Sequence, residues 1–185
     1  MTRKVGDVIL SDELKMRWAW GELHSERNSK WYSRKGGEAA RLLDLARGGF
    51  EFEKLTAVEK SALKSFVDER MRREIPPVPD GIAFKYCEWT KPQLGSCLVI
   101  PNLGGGQNIP YTDFIVQEPR APIDTDPRHV ARNSGSRNKG YIPQEPGVAI
   151  LVPNRGTVLV DGYTRSVVFW DLGKDGDTYP VWVQV

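Results

Sequence analysis

Hydrophobic positions in the first 75 residues recur at helical spacing. Met16, Trp20 and Leu23 fall at i, i+4 and i+7, with Leu14 and Trp18 on an adjoining stripe. The pattern predicts a helix from Ser11 to about Ser25. Ser11 would be its N-cap, and Asp12 and Glu13 would sit in the first turn, where negative charge suits the helix dipole. A second helix is predicted over Glu38–Arg47, with Ala39, Leu42, Leu43 and Ala46 inward and Gly48-Gly49 ending it. A third opens on a capping box, Thr56-x-x-Glu59. Its predicted apolar face is Val58, Ala62, Leu63, Phe66, Val67 and Met71, and it runs out in Arg70, Arg72 and Arg73.

Beyond position 76 the period changes. Cys97–Ile100, Phe114–Val116, Val148–Val152, Thr157–Val160 and Val181–Val183 are short β-branched or apolar runs between turn-forming residues, and they read as strands. Asn154-Arg155-Gly156 between two of them suggests a tight hairpin. Proline sharpens the division. All 13 prolines lie at or after position 76, and proline breaks helix interiors but suits loops and sheet edges. The expected fold class is α+β: a helical subdomain over 1–75, a connector at Pro76–Gly81, and a mixed β-sheet domain over 76–185.

Composition narrows the function. The chain has 185 residues, 39% hydrophobic and 27% charged, which fits a globular protein and not a collagen, a coiled-coil rod or a disordered chain. No run approaches 18 apolar residues and no apolar leader follows Met1, so neither a transmembrane helix nor a secretory signal is expected. Two cysteines ten residues apart, Cys87 and Cys97, have no histidine nearby, which disfavours a zinc site and suits reduced cytosolic thiols. Net charge is +2; residues 1–75 carry 16 basic and 13 acidic side chains, and residues 76–185 carry 10 and 11. Any nucleic-acid contact must therefore be local. Arg128, His129, Arg132, Arg137 and Lys139 form one such stretch, able to track a DNA backbone or to be a solvated loop. The three helices could be a helix-turn-helix or a docking element. Leu103–Asn108 is glycine-rich but lacks the Gly-Lys-Ser/Thr of a phosphate loop, and reads as a turn.

The most informative segment is Val158–Trp170. An apolar strand ends in Asp161-Gly162, and a short helix begins at once with Tyr163-Thr164-Arg165. Free N–H groups at a helix start, a glycine that lets backbone approach closely, and a forked guanidinium one turn in together suit an anion. Asp161 could coordinate a metal or accept a proton. The same residues also read as an ordinary turn beside a solvated arginine.

This segment resembles the ParB/sulfiredoxin superfamily, in which a strand leads into a Gly-x-x-Arg phosphate turn and a short helix. A final strand follows, here Asp177–Val183. Upstream, Ile115-Val116-Gln117-Glu118-Pro119-Arg120 is similar to that family's strand running into Gln-Pro-Arg. The resemblance spans Tyr111 to Val185, about two fifths of the chain. Sulfiredoxin's cysteine is replaced by Tyr163 and Thr164, and no helix-turn-helix follows the last strand, so sulfiredoxin chemistry and a partition-type DNA clamp are not expected. Architecture is most similar to the plasmid fertility-inhibition branch. That resemblance implies ATP hydrolysis, DNA cleavage with Mg²⁺ or Mn²⁺, and blockade of conjugative or T-DNA transfer at a type IV coupling protein or relaxosome. It also implies a cytoplasmic protein recruited to the inner membrane through that partner. It assigns Gly162, Tyr163, Thr164, Arg165 and Arg120 to phosphate binding. Asp161 and Glu118 become metal ligands, catalytic together with Arg165, and Arg128, Arg132, Arg137 and Lys139 become DNA contacts. A non-catalytic inhibitor that docks through the helices is the alternative.

Overall fold

The computed structural model describes residues 3–23, 36–70, 78–100, 108–118, 126–133 and 145–185. It is a mixed α/β structure that divides into two compact units. One is built from residues 9–83 and the other from Arg3–Val8 with Phe84–Val185. The division falls at 83/84, and residues 3–8 belong with the second unit. Trp31, Met71, Arg72, Arg73, Pro76, Pro77, Arg120, Arg137, Lys139 and most of the glycine-rich segment lie outside the described residues.

The first unit is helical. Helix α1 is Ser11–Glu22, α2 is Gly37–Arg47, and α3 is Ala57–Arg70. A single 3-10 turn, Phe52–Lys54, precedes α3. Ala19, Trp20, Leu23, Leu42, Leu43, Ala46, Phe52, Leu63, Phe66 and Val67 form one core cluster, so the apolar spacing of these helices reports their packing faces. Two details differ from expectation. The N-cap of α1 is Leu10, not Ser11, and the Ser11 hydroxyl is buried with no partner among the described residues. Val58, expected on the inner face of α3, is 75% exposed, because it lies in the first turn on the side away from Leu63 and Phe66. The capping box forms as the sequence predicts. The Thr56 N–H donates to Glu59 Oε2 at 2.7 Å, and the Glu59 N–H donates to Thr56 Oγ1 at 3.2 Å.

The sheet has seven strands: β1 (Val8–Leu10), β2 (Ala83–Trp89), β3 (Leu98–Val99), β4 (Ile109–Pro110), β5 (Gly147–Val152), β6 (Gly156–Asp161) and β7 (Tyr179–Gln184). Their order is β1-β2-β7-β5-β6-β3-β4. It is mixed: β5 runs parallel to β7 and antiparallel to β6, and β3 runs parallel to β6. The helices of this unit are α4 (Lys91–Gly95), α5 (Tyr111–Val116), α6 (Pro127–Asn133) and α7 (Tyr163–Leu172). Leu94, Val99, Tyr111, Phe114, Ala149, Leu159, Val167, Phe169, Tyr179 and Val181 belong to its core. The hairpin joining β5 to β6 turns through Asn154 (φ 62°) and Gly156 (φ 98°), the conformations for which this sequence pattern is suited.

One predicted strand is a helix. Phe114–Val116 forms the end of α5, where Tyr111, Phe114 and Ile115 are buried and Val116 is 77% exposed. The period is helical once Tyr111 is counted, since i, i+3 and i+4 share a face. The Gln117-Glu118 segment therefore follows a helix, and the upstream family-like motif lacks its strand. Among the described residues no helix is long and apolar enough to cross a membrane.

Candidate anion site at the start of helix α7

Strand β6 delivers Asp161 to the start of α7, and the ladder shifts there. Val148 pairs with Asp161 but Ala149 pairs with Leu159, so Val160 is an extra residue. Such a bulge bends the strand and re-aims the side chains beside it. Gly162 then takes φ 91° as the N-cap of α7, a conformation that costs glycine little and other residues much. Its surroundings also exclude a side chain. An added Cβ would lie 2.2 Å from the Tyr179 hydroxyl and 2.9 Å from Gly147 Cα. A Cβ on Gly147 would meet the same hydroxyl at 2.6 Å. Tyr179 is thus wedged between two glycines, and it donates to the Gly162 carbonyl at 2.9 Å.

Arg165 occupies the first turn of α7. Its Nη2 donates to Asp161 Oδ2 at 3.0 Å and to the Pro146 carbonyl at 3.4 Å. The Arg165 and Asp161 side chains are 30% and 25% exposed. The Arg165 Nε is buried and has no partner among the described residues. Burial disfavours the guanidinium charge, but Asp161, Tyr179 and Glu145 outweigh it and hold Arg165 above its ordinary pKa. The cation is permanent, and one of its donors is unspent. Tyr163 is turned inward, donating to the Leu159 carbonyl at 2.8 Å, and burial pushes its phenol up. Its hydroxyl is spent inside the fold and does not face the helix start. Thr164 is half-buried at the same helix start.

Two expected DNA contacts, Arg128 and Arg132, make hydrogen bonds within the fold. Arg128 is 1% exposed and ties its guanidinium inward. It donates to the carbonyls of Phe114, Gln117 and Glu118 and to both carboxylate oxygens of Asp126. These carbonyls stand at and just beyond the C-terminus of α5, where a helix leaves acceptors unpaired. Arg132 donates to the Ile115 carbonyl at 3.0 Å and to Asp171 at 3.3 Å. Both arginines of α6 cap α5, and the basic spacing reflects that task. Arg137 and Lys139 lie outside the described residues, as does Arg120.

Glu118 is exposed just past α5. Among the described residues no three His, Cys, Asp or Glu side chains come together as a metal-holding group. The Asp161 carboxylate faces a guanidinium, which competes for the oxygen a cation would take. Among the described residues no metal donor set is therefore assembled around Asp161. A recess of about 200 Å³ lies in the helical unit, lined by Asp12, Lys15, Met16, Lys64, Val67 and Asp80. Lys15 pairs with Asp80 and Lys64 with Asp12, so its charges satisfy one another.

Gly147, Tyr179 and Pro146 carry only a weak signal of a place at this turn. Their only sequence signal is that Pro-Gly precedes the strand β5 and that Tyr-Pro begins β7. Comparison with family models, with curated proteins and with solved structures returned no match.

Proposed function

We propose that this chain binds nucleotide phosphate at the Asp161–Arg165 turn and couples that site to ATP hydrolysis and DNA cleavage. In this reading it is a fertility-inhibition factor of the ParB/sulfiredoxin type, similar to the plasmid protein Osa. It acts in the cytoplasm on conjugative or T-DNA transfer, at a type IV coupling protein or relaxosome. One observation carries the reading. A left-handed glycine N-caps α7 beside a half-buried arginine whose Nε has no partner among the described residues. Phosphate suits such a place, because helix-start N–H groups and a fixed guanidinium complement its charge without reorganising.

In that role the backbone N–H groups of Tyr163, Thr164 and Arg165 cradle a phosphate, and the Arg165 fork neutralises it. Asp161 positions Arg165 through the 3.0 Å pair. Phosphoryl transfer asks mainly for positioning and charge neutralisation, which this turn can supply. Asp161 is engaged by Arg165, so in this reading the phosphate charge is neutralised by the guanidinium and the helix-start N–H groups.

A second reading is favoured by the inward commitment of Arg128. It is an inhibitor that works by docking on the transfer machinery. The two are separated by assaying wild type and Arg165→Ala for phosphate release, plasmid cleavage with and without Mg²⁺, and inhibition of plasmid transfer. The enzyme reading expects all three to fall at least tenfold together in the variant. Inhibition that persists at wild-type strength while wild-type turnover is nil supports docking and overturns the enzyme reading.

A further inference from the structure

The cation at the start of α7 does not stand alone. Asp161 immediately precedes the N-cap Gly162, and its Oδ2 accepts from Arg165 Nη2 at 3.0 Å. The Pro146 carbonyl accepts from the same nitrogen at 3.4 Å. A guanidinium Nη carries two hydrogens, so two acceptors account for both. The buried Nε–H is the donor left without a partner among the described residues. Nε and Nη2 belong to one small planar group. An anion that takes Nε, or that lies against both the guanidinium and the first N–H groups of α7, therefore stands within a few ångströms of the Asp161 carboxylate.

That carboxylate sets the charge balance of the turn. Arg165 and Asp161 sum to zero, and their side chains are 30% and 25% exposed, so solvent screens them only in part. Glu145 also lends its field to Arg165, but it is itself paired with Arg3. What remains uncompensated is the helix start, equivalent to about half a positive charge. Such a place treats one negative charge and two very differently. The cost of stripping water from an ion rises with the square of its charge, about fourfold from a monoanion to a dianion. The balanced pair attracts the second charge through Arg165 and repels it through Asp161, so it returns little for that extra cost. A phosphodiester carries one charge, whereas a phosphate monoester carries nearly two at neutral pH. The donors agree: with Nη2 spent, the turn suits the two free oxygens of a diester better than the three of an end phosphate.

We propose that the Asp161–Arg165 turn selects a singly charged phosphodiester over a doubly charged end phosphate, and that Asp161 is the residue that sets this specificity. The inference rests on the phosphate reading of the turn and narrows its ligand to internal phosphates. These are the links of a DNA strand or the inner phosphates of a nucleotide such as ATP. Inorganic phosphate and end phosphates are refused by charge, not by size.

The test is titration of the full chain with adenosine monophosphate and with its methyl ester, at about pH 8, where the monoester has lost its second proton. The readout is the amide signals of Gly162, Tyr163, Thr164 and Arg165. The two ligands share base and sugar and differ by one methyl group and one negative charge. Wild type should bind the ester about fivefold tighter or more. Asp161→Asn removes the charge and keeps an acceptor for Arg165. It should bind the monophosphate about tenfold tighter than wild type does, and the ester only about threefold tighter, because the ester carries half the charge. Loss of a merely structural contact would weaken both ligands and produce no such gain. Arg165→Ala should lose both. An affinity ratio unchanged in Asp161→Asn overturns the role of Asp161. Wild type that binds the monophosphate as tightly as the ester overturns the selection and leaves the turn a phosphate site. Wild type in which neither ligand moves these amides overturns the turn and the selection together. Movement of the four amides by a thymidine oligonucleotide with hydroxyl ends supports a DNA strand as the source. Movement by ATP and not by the oligonucleotide supports the inner phosphate of a nucleotide, and movement by neither overturns the proposal.

Discussion

At Gly162 the backbone sits at φ 91° with the Tyr179 hydroxyl where a Cβ would go. Gly162→Ala should cost roughly 2–4 kcal/mol, combining strain at positive φ with a clash in a packed place. A urea midpoint that does not move would show that the turn relaxes freely. Arg128 presents the opposite case, a charged side chain that is part of the interior. Arg128→Met takes the guanidinium away from the Asp126 carboxylate and from three carbonyls, and loss of one partner of a buried pair costs about 3–5 kcal/mol. Its thermal unfolding should shift well below wild type, whereas the salt dependence of any DNA binding should not change. A changed salt slope with unchanged stability would return Arg128 to the surface role that its sequence neighbourhood suggests. That neighbourhood misleads for a physical reason. Basic residues at helical spacing look the same whether they face phosphate or the open carbonyls of a neighbouring helix, and only the tertiary partner, here α5, decides. Cys97 makes a third residue-scale point. It is buried, and burial pushes its thiol up to about 12, while Cys87 is half-buried. Iodoacetamide should label Cys87 first and Cys97 only on unfolding; equal labelling rates in the folded protein would contradict this.

Among the elements, α3 shows how an N-terminal signature works. The Thr56 N–H and hydroxyl donate to the Glu59 carboxylate, and with Arg41 they hold it below its ordinary pKa of 4.5. A lowered folded pKa stabilises the fold above the unfolded value, and the benefit disappears as pH falls through the folded value. Thr56→Ala should cost about 1 kcal/mol at neutral pH. The stability gap between wild type and Glu59→Gln should close as pH drops below 4.5; a gap independent of pH would remove the carboxylate charge from the explanation. The same signature, Thr90-x-x-Gln93, caps α4, yet α4 has only five residues and offers no apolar period to recognise. Strand β2 is harder to read for a related reason. Phe84 and Tyr86 are buried and alternate with Lys85 and Cys87, but Lys85 and Glu88 break the apolar run. The helices α1 to α3 and the strands β5, β6 and β7 were legible because each carries its own period. Phe114–Val116 was not, because three apolar residues fit either period, and burial of Tyr111 settles it as a helix.

The chain divides into a largely helical unit and a unit that holds most of the mixed sheet, each with its own core. In the second unit, chain topology gathers residues that the sequence scatters. Arg3 reaches Glu145 across 142 positions, and Tyr179 closes on Gly162 across 17. The Asp161–Arg165 turn was visible from the sequence because its parts are contiguous. That Gly147 and Tyr179 meet Gly162 is not legible in the sequence, because only the β7-β5-β6 order makes them neighbours. The central claim is that this turn receives phosphate. The most direct test is the amide proton–nitrogen spectrum of the full chain titrated with ATP, because it reports each backbone N–H separately. Binding at the turn predicts the largest saturable shifts at Gly162, Tyr163, Thr164 and Arg165, abolished by Arg165→Ala. Saturable shifts elsewhere with these four amides unmoved, or no shifts at all, would contradict it.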